Sequence, residues 1–114
     1  MSKGLSYKYS GTKGHIVDIA HSLPANPSGL TSNGWNDISH PFQAMSGSHT
    51  YEEQSTGLRV RFDKGDSGKN GFAGKNHYHI LNPNANNSSD MYLSINGDPV
   101  SRGSKASHIL PKED

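Results

Sequence analysis

Leu58–Leu81 reads LRVRFDKGDSGKNGFAGKNHYHIL: two short alternating runs joined by a connection rich in glycine and lysine. In a strand, successive side chains point to opposite faces. Leu58, Val60 and Phe62 therefore share one face of the first run, with Arg59 and Arg61 on the other. In the second run Tyr78 and Ile80 take one face, and His77, His79 and Leu81 take the other. If the two apolar faces coincide, one surface of the sheet carries two guanidiniums and two imidazoles. Fixed cations beside groups that titrate near neutrality suit a phosphate ester that is first gripped and then cleaved.

The chain around this stretch has 114 residues, a length that fits one domain over residues 1–114 with a modest core. Only 30% of residues are hydrophobic and the mean hydropathy is −0.80, values that lean toward disorder. Amphipathic runs, one Trp, five Tyr and a net charge of only +1 point instead to a folded chain with short elements and long ordered loops. No cysteine is present, so disulfides, thiolate metal ligands and cysteine nucleophiles are excluded. That suits a reducing cytosol, and equally a chain that crosses a membrane unfolded. No apolar run reaches spanning length and the N-terminus carries no signal-like hydrophobic stretch, so insertion into a membrane is not expected. Met1-Ser2 ahead of Lys3-Gly4 reads as a start placed on a piece of a longer chain. Before Gly57 there are three basic and four acidic residues; after it there are eight basic and six acidic. Such a weakly basic second half fits a brief encounter with a polyanion better than tight DNA binding.

Working outward, Ser2–Gly14 reads as an arm or a short edge strand, with Tyr7 and Tyr9 alternating. Ile16, Ile19, Ala20 and Leu23 recur at helical spacing, Thr12 supplies a cap and Pro24 a stop, so a helix is predicted over 12–23. Ala25–Gly34 is turn chemistry throughout. Trp35, Ile38, Phe42 and Met45 are again helically spaced, but Pro41 splits the pattern into a turn and a short helix whose aromatic residues belong to the core. His49–Thr56 is a first strand, with Gly57 a bulge or turn. Asp63–Asn76 is a flexible loop on the substrate side. Met91, Leu93 and Ile95 share a strand face, and Asn96-Gly97 is a hairpin turn before a last strand within 98–108. The expected fold class is α+β: one or two N-terminal helices packed on a twisted antiparallel sheet of about four strands.

His77 and His79 admit two chemical uses. As metal ligands on one strand face they need partners, and His108, Asp63 or Asp66 are the candidates. As acid–base groups they can take and return a proton in turn, as cleavage of a ribonucleotide requires. Gly103–His108 (GSKASH) is a second cluster. Lys105 can hold a phosphate oxygen, Ser107 can hydrogen-bond to it and His108 can act as acid or base. Lys69, Lys75 and Tyr78 complete the expected substrate contacts. Neither GxSxG nor HEXXH occurs, and the glycines match neither phosphate-loop fingerprint. A metal-dependent DNase using His77 and His79, and a non-enzymatic binding module, are the alternatives.

The segments GLRVRFDKG, GKNHYHILNPN, a Tyr-Leu strand followed by NGDPV, and GSKASHI together resemble the C-terminal toxin modules of bacterial polymorphic toxins, those of contact-dependent inhibition and LXG-type systems. More narrowly they resemble the ribonucleases of the barnase, EndoU, colicin and RelE-like fold group. The likeness covers about the C-terminal half; GHIVDIAHSLP fits only as a helix in the expected place. The resemblance implies helices on a twisted antiparallel sheet and metal-independent RNA cleavage, tRNA among the possible targets, leaving a 2′,3′-cyclic phosphate. It implies His77 or His79 as base, His108 as acid, and Arg59, Arg61 and Lys105 as stabilisers of the phosphorane, with no metal and no cofactor. The glutamate base of barnase has no clear counterpart, Glu52 and Glu53 lying in a different setting. A cognate immunity protein, delivery within a larger secreted toxin, action in the target-cell cytoplasm and a monomeric free domain are further implications.

Overall fold

The computed structural model describes residues 6–66 and 68–112. Three short α-helices, α1 (Lys13–Ala20), α2 (Ser28–Thr31) and α3 (Pro41–Met45), accompany six strands: β1 (Trp35–Asp37), β2 (Ser48–Glu53), β3 (Arg59–Asp63), β4 (His77–Leu81), β5 (Tyr92–Leu93) and β6 (Pro99–Val100). The strands form one antiparallel sheet in sequence order. The chain is therefore α+β. Its sheet has six strands rather than about four, because β1, β5 and β6 are only two or three residues long.

Period-two burial organises the centre of the sheet. Leu58, Val60, Tyr78 and Ile80 are all 0% exposed, and they join Phe62, Tyr51 and Trp35 on one face. Ile16, Ala20, Leu23 and Leu30 from the helical side close over them. Burying a side chain of this size is worth about 1.5–3 kcal/mol, so a one-residue slip, which would turn the whole set toward water, is strongly opposed. The observed register pairs Val60 with Ile80 and Phe62 with Tyr78, and it places every intervening residue on the opposite face.

Local chemistry sets the element ends. Thr12 caps α1, its Oγ1 accepting from the His15 amide at 3.0 Å. The helix stops three residues before Leu23, yet Leu23 is 1% exposed because the following turn folds it back into the core. Pro41 opens α3 at the position where a proline lacks no needed donor, and His40 caps it. The turn-rich stretch 25–34 nonetheless contains the single-turn helix α2, started by the Asn26 side chain accepting from the Ser28 amide. Trp35 is a strand residue, so its helical spacing to Phe42 and Met45 is coincidental. Only Trp35 of that set is core; Phe42 and Met45 are 76% and 82% exposed. The alternation of Met91, Leu93 and Ile95 fails as well: β5 ends at Leu93, and Ile95 lies exposed ahead of the Asn96-Gly97 turn. The N-terminal stretch is an arm, described from residue 6. The Tyr7 hydroxyl donates to the Leu81 carbonyl at 2.7 Å and accepts from the Arg59 amide at 3.0 Å, lashing the arm across β3 and β4.

The C-terminus makes the contact that matters most for the site. Ile109 pairs with Tyr78 through two main-chain bonds of 2.8 Å, and it is 2% exposed in the core. This short pairing extends along β4 beyond the two-residue reach of β5. With Ile109 on the core side, His108 is turned toward the other face.

Gly57 has φ +85°, and a Cβ there would stand 2.5 Å from the Lys8 carbonyl oxygen; Gly34 has φ +90° with open space around it. Gly34→Ala should cost roughly 1–2 kcal/mol, the left-handed penalty alone. Gly57→Ala should cost clearly more, because main chain must also move. Urea denaturation of both variants checks the ranking, and equal losses would contradict it.

Candidate active site

On the face of the sheet away from the core, Arg61 stands opposite His79 and Asp63 opposite His77. These four side chains, with His108, Tyr92, Lys64, Arg102, Ala73 and Gly103, line a cleft of about 440 Å³. Asp63 is its hub. Arg61 grips the carboxylate with Nε to Oδ1 at 2.9 Å and a terminal nitrogen to Oδ2 at 2.8 Å, and Ser48 Oγ donates to Oδ1 at 2.8 Å. The Nε2 atoms of His77 and His79 face Oδ2 at 3.5 and 3.4 Å. The other terminal nitrogen of Arg61 donates to the Tyr92 hydroxyl at 2.7 Å, so Arg61 is fixed from both ends.

The three imidazoles are held in the same manner. Nδ1 of His77, His79 and His108 meets the main-chain carbonyl of Lys75, Ser107 and Ser104 respectively, each at 2.9 Å. A carbonyl only accepts, so in each ring Nδ1 carries a hydrogen; Nε2 is the remaining nitrogen, turned toward Asp63 Oδ2 in His77 and His79. The ring centroids lie 4.7–5.0 Å apart pairwise. Phe72 stacks on His108 at 4.6 Å and Tyr92 on His79 at 4.6 Å. His77 and His79 are buried, His108 partly so.

Charge follows this packing. Burial opposes ionisation of Asp63, but the facing imidazoles and the Arg61 guanidinium outweigh it and hold the carboxyl well below the usual range. Burial likewise works against charge on His77, yet Asp63 and the Lys75 carbonyl raise its pKa above the ordinary value. For His79 burial prevails, supported by the positive charge of Arg61, and the pKa is lowered. Neighbouring imidazoles on one strand are thus pushed in opposite directions.

No family model, curated protein or solved structure matches the chain.

Of the residues expected from sequence, His77, His79, His108 and Arg61 meet in the cleft. Arg59 does not. It lies on the same face but two residues back along β3, bonded to Glu52 at 2.9 Å with its guanidinium 4.8 Å over the Tyr7 ring. It lines an adjoining hollow of about 290 Å³ that shares Arg61 and Tyr92 with the cleft. Tyr78 is on the core face, 0% exposed, its hydroxyl donating to the Pro24 carbonyl. Ser107 is likewise 0% exposed, its hydroxyl committed to the Ser104 carbonyl at 2.7 Å. Neither contacts a ligand from there. Lys69, Lys75 and Lys105 are exposed and outside the cleft lining; Lys69 lies 3.9 Å from Asp66, while Lys75 and Lys105 serve through their carbonyls, to His77 Nδ1 and the His108 amide. Tyr92, Arg102 and Lys64 were not foreseen as site residues, and Asp63 was foreseen only as a metal ligand.

One nitrogen from each of His77, His79 and His108 lies within 4.8 Å of the other two, a set able to hold a transition-metal ion. Asp66 is outside this set.

Removing the hub should be felt in folding. Asp63→Asn takes away the charge that neutralises Arg61 and is expected to lower stability by about 1–3 kcal/mol, the range for a half-buried hydrogen-bonded charge. Arg59→Ala, which opens a pair with both partners about a third exposed, should change it by less than about 1 kcal/mol. Urea titrations that rank the two the other way would show that Asp63 is not the organising charge.

Proposed function

We propose that this domain is an endoribonuclease of the toxin type, cleaving RNA by acid–base catalysis without a metal ion. The observation that carries the reading is the convergence of three imidazoles, each fixed through Nδ1, on a cleft that also presents Arg61, Arg102 and Lys64. Proton carriers and anion-binding cations at one place are what transesterification of an RNA phosphodiester needs.

One of the two inner histidines, His77 or His79, takes the proton of the 2′-hydroxyl as its oxygen attacks the adjacent phosphorus. The bond from phosphorus to the 5′-oxygen breaks. His108, the least buried of the three and steadied by Phe72, returns a proton to that oxygen. The products are a 2′,3′-cyclic phosphate and a 5′-hydroxyl, with proton and charge balanced. Arg61 and Arg102 face the developing negative charge on the phosphorane. The Asp63 carboxylate supports metal independence, because its oxygens are already engaged by Arg61 and Ser48.

The toxin context rests on the resemblance of GLRVRFDKG, GKNHYHILNPN and GSKASHI to polymorphic-toxin modules. It brings an immunity protein that covers the cationic cleft, delivery as part of a larger toxin, and a target in the cytoplasm of the recipient cell, tRNA among the candidate substrates.

Single-turnover cleavage of labelled RNA in EDTA tests the reading. Alanine at the catalytic member of His77 and His79, and at His108, is expected to lower the rate by about a hundredfold or more. Arg61→Ala should depress the rate at saturating RNA more than it weakens binding, with Arg59→Ala close to wild type. Circular dichroism controls for folding. Wild-type rates in all three single histidine variants would end the assignment.

A further inference from the structure

We propose that His77, His79 and His108 also form a binding site for a divalent transition-metal ion of the zinc class, and that filling this site silences the cleft. The binding rests on geometry alone; the silencing rests on the ribonuclease reading above.

Three observations converge on it. One nitrogen from each ring lies within 4.8 Å of the other two. Around an ion at about 2.0–2.1 Å, tetrahedral nitrogen ligands stand roughly 3.3–3.4 Å apart, so modest ring rotations close the set. Second, all three Nδ1 atoms meet main-chain carbonyls at 2.9 Å. An outer hydrogen bond of this kind fixes the tautomer and ring orientation of metal-binding histidines and raises their basicity. Third, the rings are positioned by rigid parts: two by alternation on β4, the third by the Ile109–Tyr78 pairing and the Phe72 stack. An all-imidazole set favours zinc, nickel or copper over magnesium and calcium, which prefer oxygen.

Asp63 fits as an outer neighbour. Its Oδ2 lies 3.4–3.5 Å from two of the Nε2 atoms, close enough to offset an ion's charge, while Arg61 and Ser48 keep it in place. The fourth position of the ion would face the cleft. A nitrogen lone pair bonded to a metal cannot accept the 2′-hydroxyl proton, and a metal-bound nitrogen has none to give the leaving oxygen. Occupancy therefore removes base and acid together.

The test uses the full chain after dialysis against a chelator. Zn²⁺ is titrated by calorimetry, Co²⁺ by its visible absorption, and RNA cleavage is followed in parallel. One ion per chain, a tetrahedral cobalt spectrum, and activity that falls with occupancy and returns with EDTA are expected. His108→Gln should weaken binding on the order of tenfold or more, losing one of three ligands, while Arg59→Ala leaves it unchanged. Wild-type protein that binds neither ion overturns the inference and leaves the ribonuclease reading standing. An ion that binds and switches cleavage on overturns the silencing and the metal-independent mechanism together.

Discussion

The cleft depends on one carboxylate. Asp63 stands where β3 ends, cross-strand from His77, and takes two hydrogen bonds from Arg61 and one from Ser48. Without that charge, a guanidinium and two buried imidazoles would lie together on a partly desolvated face, an arrangement that like-charge repulsion and burial both disfavour. With it, Arg61 is locked in plane between Asp63 and Tyr92, and His77 and His79 are held against the same oxygen. The site is consequently an ion network built into sheet register, not a set of independent surface residues.

The fold supplies that register through its other face. The hydrophobic core lies on one side of β2–β4, leaving the second side mainly to polar side chains whose hydrogen bonds must be met locally. Among the described residues, no buried side-chain nitrogen or oxygen lacks a partner. The carbonyls of Lys75, Ser104 and Ser107 meet the three Nδ1 atoms, so the irregular segments beside β4 act as supports for the rings. Functional groups carried on strands and seconded by main chain are positioned more closely than groups on free loops.

The legible part of this was whatever obeys a short period or a local rule. Alternation in Leu58–Phe62 and Tyr78–Ile80 placed Arg61, His77 and His79 on a common face before any tertiary information. Thr12 and Pro41 marked helix starts because capping and the missing proline donor act within one turn. Asp63 was within reach of the same reasoning, since positions 59, 61 and 63 share parity; beginning the loop at Asp63 hid it. Convergence of His108 was expected from its chemistry, but its position depends on the Ile109–Tyr78 pairing, a contact 31 residues apart in sequence that no local pattern announces. Tyr92 and Arg102 enter for the same long-range reason. Lys69, Lys75 and Lys105 stand outside the cleft lining, because a positive charge near glycines says nothing of direction. Trp35 was drawn into a helical pattern by spacing alone, and its burial against the sheet decided otherwise.

The central claim is that the imidazoles serve a reaction in which RNA supplies its own nucleophile. The most direct measurement is the chemistry of the cut ends, made with a short RNA and with the same RNA bearing a single 2′-deoxy sugar at the cleaved position, both in EDTA. The account predicts a 2′,3′-cyclic phosphate and a 5′-hydroxyl from the first, and no cleavage at that position in the second. A 5′-phosphate product, or equal cleavage of the deoxy-substituted strand, would contradict it.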